Sequence, residues 1–572
     1  MCGIAGIFSP AKEIDSQELE RFTLALHHRG PDSHASKVFC HVGLAHTRLA
    51  ILDLSERGAN PLLYTAPDST RYWITFNGEI FNFIELRQEL IKLGHRFVSD
   101  TDTEVIPAAY HQWGMDCFKR FNGMWAFALY NEREGSVLLS RDRFGIKPLY
   151  FRTNDRLAWS SELKAFFALS DTKREIDSEV VPLVLQHSYS YEGKTERTLL
   201  KSVNRLPPGS VLIAKRDGTI TTSKWWRTED NLPSVPESYA GQVEKFREIF
   251  FDSVRLRMRS DVPIATCLSG GLDSSSVACV MNLVSRSASG ERQAEDWQNC
   301  FIASFPGAAI DETDLAEDVA QAIGAKSHKW VFDGNAALQD LVSSVWSLED
   351  VYGGIVVPIW SIYRELRRSG VVVSLDGHGS DELFGGYSFN LDWSRRDFAR
   401  ELMQQFHVTL LPAILRNFDR CSAAHGIEVR MPFMDWRLVT YCMALPPESR
   451  AGAGYSKRIL RDAMEGIVPD RIRLRRQKIG FNSPMIEWYN GEMLGFFEWI
   501  TQEPLWKHSQ FFDGTKIGDE VLRRCRNRSW TTDHWDDALF VWTLANLVLW
   551  QMLFIEGRQL NSFHFHHFGS VC

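Results

Sequence analysis

Three short apolar runs, Ile264–Leu268, Phe301–Phe305 and Val371–Leu375, are bounded by polar or glycine turns, with helical patterns between them. Strands that alternate with helices imply a parallel sheet covered on both faces. The first run leads directly into Ser269-Gly270-Gly271-Leu272-Asp273-Ser274-Ser275 and then into a helical stretch, Ser276–Val284. Glycines let a backbone approach phosphate oxygens, and a helix N-terminus offers unpaired N–H groups to an anion. The spacing is not that of a Walker loop. The third run leads into Asp376-Gly377-His378-Gly379-Ser380-Asp381-Glu382. One Mg²⁺ held against phosphate oxygens needs hard oxygen ligands, and Asp273 with Asp381 are the candidates. Both follow apolar runs, at the carboxyl edge of the expected sheet where ligands of such folds bind.

The region before about Trp226 has a different texture. Strand-like runs, Tyr72–Phe76, Trp125–Tyr130, Ser136–Leu139 and Leu149–Phe151, are interrupted by helical stretches such as Phe81–Leu93. The turn Pro207-Pro208-Gly209 closes it. Tyr239, Val243, Phe246, Phe250, Val254 and Met258 then mark one face of a helix, and the sequence from about Ser388 is mainly helical. A chain of 572 residues exceeds one ordinary core. The domain boundary is expected within residues 205–240.

Scattered basic residues and a net charge of −8 argue against a nucleic-acid surface. Ten cysteines without a CxxC pair, and no basic segment leading into an apolar stretch at the start, point to a reducing, cytoplasmic setting. Ala538–Ile555 is apolar but barely of spanning length, and Asp536, Asp537 and Glu556 flank it. It reads as a buried core helix, not a membrane span.

Cys2 follows the initiator methionine. A small second residue permits removal of Met1, which leaves a free α-amine on Cys2. With a reference pKa of about 7.7–8.0, that amine can take the thiol proton, so nucleophile and base share one residue. A thiolate there is suited to attack the side-chain amide of glutamine and release ammonia. The tetrahedral oxyanion needs fixed donors, and Asn77-Gly78-Glu79, read as a turn directly after the strand Tyr72–Phe76, offers an amide side chain and a backbone N–H.

MCGIAGIF (1–8), HHRGPD (27–32), HTRLAILD (46–53), FNGEIFN (76–82) and SRDRFGIKPLY (140–150) together resemble the class II, N-terminal-nucleophile glutamine amidotransferases. The resemblance implies Cys2 as nucleophile, with Asn77 and Gly78 as oxyanion hole. It assigns Arg48 to the glutamine carboxylate, and Asn77, Glu79 and Asp102 to glutamine, the last two at its α-ammonium. An arginine fork suits a carboxylate and an acidic pair an ammonium.

Ser269–Ser274 matches the pyrophosphate loop SGGxDS. With Asp376–Tyr387, Asn417–Ser422, Gly426–Asp435 and Tyr455–Arg461, the chain resembles the asparagine synthetase family over most of its length. This implies an α+β amidotransferase domain of layered antiparallel sheets with helices over residues 2–210. An α/β parallel-sheet synthetase domain follows over 235–556, with a mainly helical C-terminal part and a tail, 557–572. ATP would lie against Leu268, Ser269, Gly270, Gly271, Asp273, Ser274, Ala303 and Gly377. Mg²⁺ would lie on Asp273 and Asp381, with Lys457 stabilising charge at the adenylated carboxylate. The implied chemistry is acyl-adenylate formation with release of pyrophosphate, then displacement of AMP by ammonia passed through an internal tunnel. Aspartate is the default acceptor, and a homodimer is compatible with the resemblance.

Two departures fall where the acceptor should bind. His378 stands where asparagine-forming members commonly place Glu within SGEGSDE; a histidine there can act as a base near pH 7. Bacterial members often carry an arginine within TTIRASTP, whereas the equivalent here is Gly353-Gly354-Ile355-Val356-Val357-Pro358. Other branches amidate sugar, peptide or secondary-metabolite carboxylates, and that alternative stays open. A catalytically silent binding protein is a third reading, disfavoured by the joint presence of Cys2, Asp273, Asp381 and Lys457. The Phe/His tail, 563–568, lacks an acidic or cysteine partner and reads as a chain end, not a metal site.

Overall fold

The computed structural model describes residues 1–560 apart from 288–291, 309, 388–396, 478–479 and 481–482. The Phe/His tail lies outside the described residues. The strands of the first half are β1 (Gly3–Phe8), β2 (Ser33–Val38), β3 (Val42–Arg48), β4 (Leu62–Thr65), β5 (Arg71–Ile80), β6 (Gly123–Asn131), β7 (Ser136–Arg141), β8 (Tyr150–Thr153), β9 (Leu157–Ser160), β10 (Asn204–Arg205), β11 (Ser210–Ala214) and β12 (Ile220–Lys224). They form two six-stranded sheets, ordered β10-β8-β9-β1-β3-β2 and β12-β11-β7-β6-β5-β4. Every pair in both is antiparallel.

Successive strand residues face opposite sides, and β1 is buried on both. Ile4 and Phe8 meet Ala126, Ala128, Val137 and Leu139 of the second sheet, so the two sheets pack face to face. Ala5 and Ile7 point the other way, onto Leu19 and Phe22 of the helix Ser16–Leu24. Asp15 caps that helix by accepting from Gln17 N at 2.8 Å. The outer face of the second sheet is covered by the helices Phe83–Lys92 and Val105–Trp113.

A five-stranded sheet follows, made of β13 (Ile264–Cys267), β14 (Asn299–Ser304), β15 (Lys326–Val331), β16 (Val373–Leu375) and β17 (Glu428–Arg430). Its order is β15-β14-β13-β16-β17 and all pairs are parallel. The three apolar runs are its three central strands. Its two edges carry no such signal. β15 is largely exposed and rich in polar residues, and β17 is a three-residue strand with two buried charges.

Two local expectations are corrected. Asn77-Gly78-Glu79 is not a turn: these residues continue β5, opposite Ala126, Trp125 and Met124 of β6. Gly78 makes this possible at φ 152°, where a Cβ would lie 2.0 Å from the Met124 carbonyl oxygen. The helix after the glycine loop starts at Leu272 rather than Ser276, so Asp273 belongs to its first turn.

The apolar segment near the C-terminus is the helix Trp535–Trp550. With the short helical turns at its two ends it makes a stretch, Thr532–Ile555, with the length and hydropathy of a span, but 78% of the most apolar 18-residue window of that stretch is buried inside the fold. The two halves meet through buried charges. Arg29 pairs with Glu162 at 2.7 Å and with Asp419 at 3.0 Å. Arg205 pairs with Asp350 at 2.8 Å, and the Glu349 carboxylate accepts from the N–H groups of Leu163 and Lys164. Buried charges persist only when partnered in this way.

Candidate active sites

Cys2 stands at the head of β1, half-buried. Its Sγ accepts from Leu49 N at 3.4 Å, and its carbonyl accepts from Arg29 Nε at 2.9 Å. Burial pushes the thiol pKa up, while the N-terminal ammonium pulls it down. Burial also lowers that N-terminal amine, carried here by Met1, to about 5. The Met1 amine is therefore neutral at pH 7.

Asn77, Gly78 and Glu79 line up along β5, and Glu79 is close enough to the thiol to push it further up. Asn77 is fully buried and neither its Nδ2 nor its Oδ1 has a protein partner. An unsatisfied buried amide costs about 1–3 kcal/mol, which a bound oxyanion would recover. Asp102 Oδ2 accepts from Ile80 N at 2.7 Å, beside Glu79. Burial raises Asp102 to about 6. Burial also pushes Glu79 well above its ordinary range; Arg430 opposes this, and nearby Asp102 and Glu428 add to it. Arg48 precedes Leu49, and its guanidinium donates to the carbonyls of Ser55, at 2.9 Å, and Asp53. Two of its five N–H donors are fixed in this way.

The second centre is a cavity of about 720 Å³ beyond the carboxyl ends of β13, β14 and β16. This is the size range of small-molecule sites. Leu268, Ser269, Ser274, Ala303 and Gly377 border it, as do Asp273, Asp381 and His378. Gly270 and Gly271 border a smaller adjoining cleft with Lys457, Arg461, Arg475 and Arg476. The glycine loop thus faces four basic side chains that composition alone does not gather. Gly270 adopts φ 75°, and a Cβ there would lie 2.8 Å from Leu315 Cβ.

Lys457 Nζ lies 2.5 Å from both Asp273 Oδ2 and Asp381 Oδ1, and Ser380 Oγ donates to Asp273 Oδ1 at 2.7 Å. Lys457 itself has φ 55°, a left-handed conformation that costs about 1–3 kcal/mol and is typical of functional positions. No cluster of three metal-ligating side chains occurs among the described residues. Mg²⁺ commonly takes one or two carboxylates plus phosphate oxygens, so the converging Asp273 and Asp381 fit such an ion. Burial and neighbouring Asp381 raise Glu382 to about 7, and it accepts from Tyr387 Oη at 2.5 Å.

Sequence reasoning missed several residues at these centres. Arg430 pairs with Glu79 at 3.0 Å and with Glu428 at 2.8 Å. Its signal was the charged motif Glu428-Val429-Arg430, which no strand propensity would favour. Tyr189 and Tyr352 border the cavity with their rings 4.7 Å apart. No motif marks either of them.

Residues 1–226 match the family model of the glutamine amidotransferase domain, and residues 245–401 and 390–552 match that of asparagine synthase. Asparagine synthetase (glutamine-hydrolyzing) 1 of Bacillus subtilis strain 168 is 29% identical, over 98% of this chain and 98% of its own. Asparagine synthetase B (glutamine-hydrolyzing) of Escherichia coli strain K12 is 29% identical, over 84% of this chain and 81% of its own. With both halves matched in order, and a cysteine corner and a glycine-loop cavity in one fold, the chain belongs to the asparagine synthetase family.

Proposed function

We propose that the chain is a glutamine-dependent carbon–nitrogen ligase that uses ATP to amidate a carboxylate. The observation that carries this reading is the junction of the two centres: Arg29 holds the Cys2 carbonyl and reaches Asp419 of the second half. A nucleophile corner wired to the synthetase half is what ammonia transfer needs.

In this reading Met1 is removed and the Cys2 α-amine, in its neutral form, takes the thiol proton. The thiolate attacks the glutamine side-chain carbon, and Asn77 with the Gly78 N–H bears the oxyanion. Ammonia leaves with the proton from the α-ammonium, and water hydrolyses the thioester to glutamate. Arg48 orients the glutamine carboxylate; Glu79 and Asp102 take its α-ammonium.

ATP, a substrate, lies with adenine against the backbone at Leu268, Ala303 and Gly377 and its phosphates on Ser269–Ser274. An acceptor carboxylate oxygen attacks the α-phosphorus, the bond to the β-phosphate oxygen breaks, and pyrophosphate departs toward Lys457, Arg461, Arg475 and Arg476. Mg²⁺ held by Asp273 and Asp381 would neutralise the pyrophosphate charge. Ammonia then attacks the acyl carbon and AMP leaves, giving the amide. Water-poor passage keeps ammonia unprotonated and nucleophilic. Aspartate is the reference acceptor, from the names of the relatives, and His378 is the candidate base beside it. The nine described cysteines are free thiols, which suits a reducing, cytoplasmic setting.

The test is joint measurement of glutamate, pyrophosphate and amide. Pyrophosphate should form only with ATP and an acceptor acid, and amide should form with either glutamine or ammonia. Glutamate production without any acid-dependent pyrophosphate would refute the ligase reading.

A further inference from the structure

The cavity has two chemically different parts. Among the described residues lining it, Arg476 is the single arginine or lysine. Arg476 also borders the smaller cleft beside Lys457, Arg461 and Arg475, so it belongs to the phosphate end. Tyr189, Tyr352, Ile359, Ile362, Ile414 and Phe418 line the cavity and none of them borders that cleft. All but Ile362 are only half-buried within the fold, which leaves apolar surface for a ligand. Here the rings of Tyr189 and Tyr352 meet edge to face at 4.7 Å, and Phe418 lies 3.6 Å from the His378 ring.

The backbone is shaped around these rings. A Cβ on Gly353 would lie 2.6 Å from Tyr189 Cε2, and one on Gly354 would lie 2.9 Å from Tyr352 Cε1. The segment that lacks the expected arginine is therefore packed beneath two tyrosines, one of them from the N-terminal half. Burial raises the Tyr352 hydroxyl to about 12 and pushes that of Tyr189 well above its ordinary value, so both remain neutral at pH 7.

Aspartate would bring a second carboxylate and an ammonium into this part. Asp376 and Glu382 in the lining could take the ammonium, but among the described lining residues no arginine or lysine away from the phosphate end could take the second carboxylate, and a buried charge without a partner costs several kcal/mol. An aromatic body instead gains apolar burial and edge-to-face ring contacts, the latter about 0.5–1.5 kcal/mol per pair. Resting on the carboxylate-activation reading, we infer that the acceptor is a carboxylic acid with an aromatic body rather than aspartate. Its carboxylate would face the nucleotide loops near His378, with its ring among Tyr189, Tyr352 and Phe418.

ATP–pyrophosphate exchange by the full chain tests this, with phenylacetate, 3-phenylpropionate, aspartate and glutamate as separate probes. The expected result is an aryl acid with kcat/KM at least about tenfold above that of aspartate. Phe418→Ala should lower the aryl-acid value by about tenfold or more, and Tyr352→Arg should shift the preference toward aspartate. Exchange with aspartate equal to or above the aryl acids overturns the inference while leaving carboxylate activation standing. Absence of exchange with all four acids overturns the activation reading itself and the inference with it.

Discussion

The guanidinium of Arg430, at the end of β17, lies 3.0 Å from the carboxylate of Glu79 on β5. The Arg430 carbonyl accepts from Asp376 N at 2.9 Å, and Asp376 opens the loop that borders the cavity. One residue thus touches both centres, through its side chain at one and its main chain at the other. Arg430 also donates to the carbonyls of Arg257 and Arg259 through the other end of its guanidinium. Arg430→Met would strand Glu79 and Glu428 in the interior. The expected loss is about 3–5 kcal/mol of stability, read by urea unfolding. Glutamine-supported turnover should fall more than ammonia-supported turnover, because Glu79 loses its anchor. An unchanged unfolding midpoint would show that the ion pair is dispensable.

Asp102 supplies a pH signature. Its folded-state pKa of about 6 lies above the ordinary carboxyl value because it is buried. Below pH 6 it is neutral and cannot pair with an ammonium; above pH 6 it is ionised. Glutaminase kcat/KM should therefore rise with pH through about 6, and Asp102→Asn should remove that limb. The same residue makes fold stability fall as pH rises from about 4 to 6, since the unfolded chain releases this proton first. Asp102→Asn should then unfold at higher urea than the parent at pH 7. A profile flat through pH 6 in the parent enzyme would exclude Asp102 from glutamine binding.

These two centres differ in how legible they were. The glycine loop and Asp273 could be read because phosphate binding demands particular residue types beside an apolar strand. Asp381 followed from the same demand for hard oxygen ligands, whereas Lys457, 76 residues further along, came only from the family motifs, and the fold brings both onto one ion-pair cluster. Asn77-Gly78-Glu79 looked like a turn because its composition is that of a turn. Pairing with β6 overrides that local preference, at a glycine whose φ no other residue adopts comfortably. Arg430 was hidden because a three-residue strand of Glu-Val-Arg has no hydrophobic pattern; partners distant in sequence make it stable. Tyr189 and Tyr352 read as ordinary aromatics until the cavity gave them a position.

Cys2→Ala separates the two proposed activities. Glutamate release should fall to background, while amide formation from ammonium salts persists because the cavity and its loops are untouched. Retained Met1 should act similarly, since it leaves an amide in place of the Cys2 amine. N-terminal sequencing of active and inactive fractions reads this directly. Equal loss of glutamine- and ammonia-supported synthesis in Cys2→Ala would count against separable sites.

Lys457 holds Asp273 and Asp381 at 2.5 Å each. Lys457→Ala leaves the two carboxylates facing each other, so ATP-dependent pyrophosphate release should drop by at least about a hundredfold, the scale on which one fixed transition-state donor contributes. Asp273→Asn should weaken the response to added Mg²⁺ as well as the rate. Glutamine hydrolysis by Cys2 should survive both substitutions. Full pyrophosphate release from Asp273→Asn would remove this residue from the metal assignment.

Gly353 tests how far the acceptor wall depends on backbone shape. Its added Cβ would approach Tyr189 Cε2 at 2.6 Å and Ser188 Oγ at 2.7 Å. Neither neighbour belongs to the glycine loop or to the cysteine corner, so the clash is confined to the acceptor side. Overpacking of this kind costs about 1–3 kcal/mol when the ring is displaced. Gly353→Ala should therefore raise the acceptor KM by about fivefold or more, with the ATP KM and glutamate release nearly unchanged. A variant in which all three parameters shift together would mean that Tyr189 supports the domain junction as a whole, and not the acceptor wall.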